Sequence, residues 1–203
     1  MNTGEAERDL ATLANDQHDD DAPPMRRARL GLRTLELYGR VLVPGDRLVA
    51  RFSIAPARGA IGQLTAARLR DGLILMTTLP NIHKHACSAQ LVQTQRSVQR
   101  FLPAAAVVHV ASDGPEYWAE VDRLHGSITA TGYSLQGSAD AEAFRLAFGV
   151  GVRGTERIAR GLFAFCRGVV LGAEVPEDQS RTPDVKRFVA RVHALAALNA
   201  RTA

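Results

Sequence analysis

The sequence predicts an α/β fold, and three observations carry that expectation. Two nearly continuous apolar runs, residues 72–79 and 104–110, lack alternation, as strands buried on both faces of a sheet do. Each is followed by a segment with helical apolar spacing. The chain then closes with two apolar stretches separated by Cys166-Arg167-Gly168 and a final amphipathic segment, which predicts a β-hairpin covered by a helix. Strand and helix alternating in this way argue for a sheet with helices packed against it.

The elements follow in order. Residues 1–24 are polar, hold Asp16, Asp19, Asp20 and Asp21, and end in Pro23-Pro24. They are expected to form a flexible tail, 1–25, ahead of one domain, 26–203. His18 beside the aspartates has no fixed geometry for a metal. Leu35, Leu37, Val41 and Val43 alternate across Tyr38-Gly39-Arg40, which predicts a hairpin over 34–43. Pro44-Gly45-Asp46 is a turn, 48–54 is extended, and Pro56 and Gly59 fall in a loop. The stretch 61–69 is ambiguous. After the strand at 72–79, Cys87, Leu91, Thr94, Val98 and Phe101 share one helical face over 86–102, stopped by Pro103. After the strand at 104–110, Ser112 or Asp113 is placed to cap a helix over 116–124. A short strand at 128–133, a helix at 139–148 ended by Gly149, the closing hairpin, and a helix carrying Val185, Phe188, Val189, Val192 and Leu195 complete the list.

The chain has 203 residues, 46% hydrophobic and 23% charged, enough for one domain with a substantial core. Two cysteines are too few for a disulfide scaffold, and a reduced, cytoplasmic setting is expected. The first 24 residues lack the apolar stretch of a secretory signal, and Arg33 and Glu36 break the run after Arg26-Arg27. No run approaches the ~20 apolar residues of a membrane span. The net charge is +4 and the pI about 9.6, but the arginines are scattered and aromatics are only 5%, so no nucleic-acid partner is expected.

Chemistry concentrates in Leu79-Pro80-Asn81-Ile82-His83-Lys84-His85-Ala86-Cys87, where an apolar strand gives way to a helix. A thiol in the first turn of a helix meets unpaired backbone N–H groups and the positive end of the helix dipole. Both favour the thiolate, the reactive form. Lys84, His83 and His85 add possible positive charge. His83, His85 and Cys87 can also be read as metal ligands, but a fourth is lacking, His109 lies deep in its strand, and no metal or cofactor is expected. His125 and His193 read as surface or packing residues.

With these residues in view, the chain resembles the peroxiredoxins, most of all their bacterial thiol-peroxidase branch, from about Thr34 to Leu198. The family pattern is Pro, three residues, Thr or Ser, two residues, Cys, and Pro80 and Cys87 have that spacing. Val110-Ala111-Ser112-Asp113-Gly114-Pro115 and Ala147-Phe148-Gly149-Val150 match in kind and order. The resemblance implies a thioredoxin-like fold with an N-terminal β-hairpin. It implies that the Cys87 thiolate attacks hydrogen peroxide or an organic hydroperoxide and becomes a sulfenic acid. It also implies recycling by thioredoxin or a small thiol, and a homodimer formed through the loops around the site.

The chain departs from the pattern in three places. Lys84 stands where the Thr or Ser belongs. The arginine that polarises the peroxide is expected ahead of the helix ending at Gly149, but the sequence there is Gly137-Ser138-Ala139-Asp140, with Arg145 inside the helix. The branch's resolving cysteine would fall near Asp122, where there is none, leaving a small thiol, another protein, or Cys166. Lys84 can stand in for the arginine only as a point charge, with His83 or His85 as proton donor. The alternative is a thioredoxin-fold protein with altered or lost catalysis: a redox sensor, a metal or cofactor binder, or a thiol-transfer enzyme.

Overall fold

The structure is a computed structural model that describes residues 24–125 and 131–201. Most of the expected 1–25 tail, and the first residues of the strand expected at 128–133, lie outside the described residues. The chain opens with an antiparallel hairpin, β1 (Met25–Leu30) and β2 (Arg33–Tyr38), joined through Gly31 at φ 61°. β3 (Ser53–Arg58), β4 (Leu64–Thr65) and a single 3-10 turn (Arg68–Arg70) follow. Then come β5 (Leu73–Leu79), α1 (His85–Phe101), β6 (Ala106–Ala111), α2 (Glu116–His125), β7 (Thr131–Ser134) and α3 (Ala141–Phe148). β8 (Gly151–Val152), β9 (Gly161–Cys166), β10 (Val169–Glu174) and α4 (Val185–Arg201) complete it.

The main sheet runs β10-β9-β5-β6-β7-β3-β4, and β8 joins the opening hairpin as a second sheet, β1-β2-β8. β5, β6 and β7 are parallel, with α1 and α2 as their crossovers, so the sheet centre must be covered on both faces. One face buries Leu75, Leu162, Ala164 and Leu171 against Val98 of α1 and Phe188, Val189 and Val192 of α4. The other buries Ile74, Met76, Val108, Phe163 and Phe165 with Phe144 and Phe148 of α3, whose rings stack at 4.4 Å. Each large aromatic so buried stabilises the fold by roughly 1.5–3 kcal/mol. Among the described residues no helix is long and apolar enough to cross a membrane.

The α/β class, both buried strands, the closing hairpin and all four helices stand where the sequence places them, within a residue or two. The hairpin expected across Tyr38-Gly39-Arg40 does not; it turns at Gly31 instead. Gly39 is needed for a different reason. Its φ is 107°, and a Cβ there would stand 2.7 Å from the carbonyl oxygens of Arg145 and Leu146. Residues 40–43 accordingly form no strand, and the Arg40 N–H bonds to Leu146 at the end of α3. Pro56 lies inside β3 rather than in a loop, at a register irregularity against β7 that accommodates its missing N–H. Neither Ser112 nor Asp113 caps α2, because both side chains are engaged at the site described next.

Candidate active site

β5 ends at Leu79, and the chain turns through Pro80 to Lys84 before α1 begins, so the sheet delivers Cys87 to its edge in the helix's first turn. The Lys84 carbonyl accepts the N–H groups of Cys87 (2.9 Å) and Ser88 (3.1 Å), which starts the helix without a side-chain cap. Cys87 faces inward. Only 1% of it is exposed, and it packs with Leu79, Ile82, Leu91, Ala111, Trp118 and Val121.

Arg160, 3% exposed, donates from Nη2 to Cys87 Sγ at 3.3 Å. Strand register explains the meeting. β9 runs antiparallel beside β5 with Gly161 opposite Thr78, so Arg160 lies across from the chain leaving β5 for Cys87. Its guanidinium is held on several sides: Nη1 donates to the Ala86 carbonyl (3.0 Å) and to Gln90 Oε1 (2.7 Å). Nε reaches the Gln179 carbonyl at 3.4 Å, and the Arg160 backbone N–H donates to Gln179 Oε1 at 2.6 Å. Gln90, fully buried, donates to the Gly161 carbonyl at 3.0 Å and so ties α1 to the start of β9. A buried cation with this many acceptors is pre-organised rather than free to swing.

Burial is the largest influence on the Cys87 thiol and pushes its pKa up. The Arg160 charge and the Asn81 amide N–H pull it back, and Asp113 adds a smaller upward push. The expected lowering at the helix start is therefore outweighed by loss of water around the sulfur.

The loop before Cys87 is pinned from below. Asp113, just past β6, accepts the Ile82 N–H at 2.6 Å and pairs with Arg157, and Arg157 also donates to the Pro80 carbonyl at 2.9 Å. Ser112 ties the same region to the strand by its N–H on the Leu79 carbonyl (3.1 Å) and accepts the Ile158 N–H (2.9 Å).

Of the residues singled out by sequence, Pro80 is therefore in the loop scaffold and Cys87 at its centre. Lys84 and His85 are exposed, and neither side chain bonds to the Cys87 sulfur. His83 stacks on Tyr117 with ring centroids 4.9 Å apart. Among the described residues no group of three or more His, Cys, Asp or Glu is placed to hold a metal ion. Cys166 sits opposite Leu73, at the other end of β5. Five residues of strand put it roughly 17 Å along the sheet from the Thr78–Gly161 pair. Arg160, Gln90, Gln179 and Arg157 join Asp113 in the site's polar framework; the sequence marks Asp113 only as a helix cap and within a family-like run, and the other four do not stand out in it. Arg160-Gly161 at the head of the apolar stretch 161–165 is the signal that marks the arginine, once that strand is paired with the cysteine-bearing one.

No protein-family model matches the chain, and no curated protein does either. Solved structures do. A thiol peroxidase from Chromobacterium violaceum superposes with a TM-score of 0.70 at 17% identity, over 87% of this chain and 98% of that one. A peroxiredoxin-like protein from Aquifex aeolicus gives 0.65 at 18% identity, over 84% and 98%. The mitochondrial 2-Cys peroxiredoxin from Plasmodium falciparum gives 0.60 at 10% identity, over 79% and 98%. Together with the strand order and its opening hairpin, these likenesses show that the chain has the thioredoxin-like fold in its peroxiredoxin form.

Proposed function

We propose that the chain is a thiol-dependent peroxidase in which Cys87 is the attacking sulfur and Arg160 the cation that serves it. The observation that carries this reading is the 3.3 Å contact between Arg160 Nη2 and Cys87 Sγ, two side chains buried together. A guanidinium fixed there favours the thiolate over the thiol. It is also placed to hold the negative charge that develops on the departing oxygen, which is where pre-organised donors lower a barrier most. The sulfur attacks one peroxide oxygen, an S–O bond forms, the O–O bond breaks, and the departing alkoxide or hydroxide takes a proton from solvent. Cys87 is left as a sulfenic acid. An external thiol, small or protein-borne, then displaces water to form a mixed disulfide, and a second thiol releases Cys87. Cys166 takes no part, being at the far end of the strand. The substrate is hydrogen peroxide or an organic hydroperoxide, the setting cytoplasmic, and the chain pairs as a homodimer through the loops around Cys87.

Lys84 and His85 serve the rim of this site from the solvent side, and His83 is held by Tyr117. The position that carries a hydroxyl in the family pattern is filled by exposed Lys84, so Arg160 and the Asn81 N–H are the donors left to a bound peroxide. A second reading, a sensor or altered thiol protein, is favoured by the net upward push of burial on the thiol. Reacting reduced protein with peroxide and timing Cys87 sulfenate by mass spectrometry separates the two. A rate far above that of a free thiol is expected, and a rate equal to it ends the peroxidase reading.

A further inference from the structure

The C-terminal half of α1 and the first turns of α4 border an open groove of about 490 Å³. Its walls carry Arg96, Arg100, Lys186 and Arg187, with Phe101 and Ala190 as apolar surface. All four cations are exposed, and among the described residues none of them forms an ion pair. Neither helix contains an Asp or a Glu. Asp184, the nearest acid in sequence, accepts the Arg187 backbone N–H at 3.0 Å, and Arg191 a turn further on already faces Glu174 at 3.9 Å. The groove is thus a concentrated positive field without internal compensation.

The matching negative charge is in the same chain. Residues 1–23 hold Glu5, Glu7, Asp9, Asp16, Asp19, Asp20 and Asp21 against the single Arg8, a net −6. The whole chain carries +4, so residues 24–203 carry +10. We propose that the acidic N-terminal segment docks in the α1–α4 groove of its own chain and acts as a tethered counter-charge. Length permits it. Twenty-three residues extend up to ~75 Å, against a radius of gyration of ~16 Å for a domain of this size. Tethering favours it over any free partner, because a short linker gives a local concentration on the order of millimolar. The segment's acids are spread along it, so several can meet the four cations at once, and the contact is electrostatic and salt-sensitive. A polyanion such as nucleic acid is the competing occupant.

The chain offers its own probe. Lys84 and Lys186 are its only lysines, so a carbodiimide, which joins a carboxylate to an amine at zero length, reports which of the two the segment touches. In the 203-residue chain at low salt we expect a product of monomer mass joining residues 1–23 to Lys186. It should fade at ~0.5 M salt and in Arg96→Glu/Arg100→Glu. Joining to Lys84 as often as to Lys186, or only at dimer mass, overturns the proposal. Elution from immobilised heparin gives a second readout. Asp16→Asn/Asp19→Asn/Asp20→Asn/Asp21→Asn should need more salt to elute than wild type, because the groove is uncovered, and Arg96→Glu/Arg100→Glu less. If neutralising the aspartates leaves elution unchanged while the groove variant lowers it, the groove belongs to an external polyanion and the proposal fails.

Discussion

Arg160 Nη2 and Cys87 Sγ stand 3.3 Å apart although 73 residues separate them in the chain, and both are buried. Removing the cation leaves burial as the dominant influence, so Arg160→Met should push the thiol pKa further up and reduce the thiolate available at neutral pH. Loss of one pre-organised donor to developing oxygen charge typically costs about 10²–10³ in rate. The expected outcome is a fall of that order in the second-order rate with peroxide. Arg160→Lys should recover only part, since an ammonium cannot hold Gln90, Ala86 and the sulfur together. Stopped-flow peroxide kinetics against pH measure both effects; an unchanged pH profile in Arg160→Met rejects the assignment.

Gln90 holds the guanidinium with one end and the Gly161 carbonyl with the other. Gln90→Leu should leave Arg160 with an unsatisfied buried donor, at a cost of about 1–3 kcal/mol of stability. It should also lower the peroxide rate without abolishing it. Gln90→Glu should place a carboxylate against Arg160, drawing charge away from the sulfur and raising the thiol pKa. The two variants differ in sign only in the pH profile, so a thiol titration tells positioning from simple loss of stability.

Much of this architecture is legible along the chain because the signals are local. The unbroken apolar runs ending at Leu79 and Val110 betray strands covered on both faces, and the spacing of Cys87, Leu91, Thr94 and Val98 marks the helix that crosses them. The site is legible only at Cys87 and Pro80. Arg160 arrives through the pairing of β9 with β5, a register that no neighbouring residues reveal. The inward turn of Cys87 follows from tertiary packing against Trp118 and Ala111, which is why a helix-start argument alone misjudges the direction of its pKa. Gly39 shows the same limit. Between two apolar pairs it has the composition of a hairpin turn, yet it is required by the carbonyls of α3 passing beneath it.

Asp113 and Arg157, paired with each other, clamp Ile82 and Pro80 of the loop that carries the site. Arg157 is about half exposed while Asp113 is buried, so the pair is partly screened by water. Arg157→Ala leaves a buried carboxylate with the Ile82 N–H as its remaining partner. A loss of about 1–2 kcal/mol is expected, below the ~3–5 of a fully buried pair. The loop should also open more often. Cys87 should then react roughly tenfold faster with a bulky maleimide while Cys166 is unchanged, as read by peptide mass spectrometry. Equal labelling of Cys87 in wild type and variant contradicts the clamp.

His109 lies fully buried between β5 and β7, with Nδ1 on Thr77 Oγ1 at 2.7 Å and Nε2 without a partner among the described residues. Burial, aided by the charge of Arg58, lowers its pKa from 6.5 to about 3. The unfolded chain therefore binds a proton near pH 6.5 that the folded chain refuses until about pH 3. Between those values the unfolded state holds more protons, so stability is unaffected above the window and falls as pH drops through it, by about 1.4 kcal/mol per pH unit at most. His109→Gln keeps a hydrogen-bonding group beside Thr77 and does not titrate. Buried carboxylates add their own acid sensitivity to both proteins, so the informative quantity is the difference between wild type and variant in urea unfolding free energy. That difference should be flat above pH ~6.5 and should narrow or reverse below it as wild type loses the larger share. A difference that stays constant down to pH ~4 shows that His109 is charged in the fold, and that a water or an anion meets its free nitrogen.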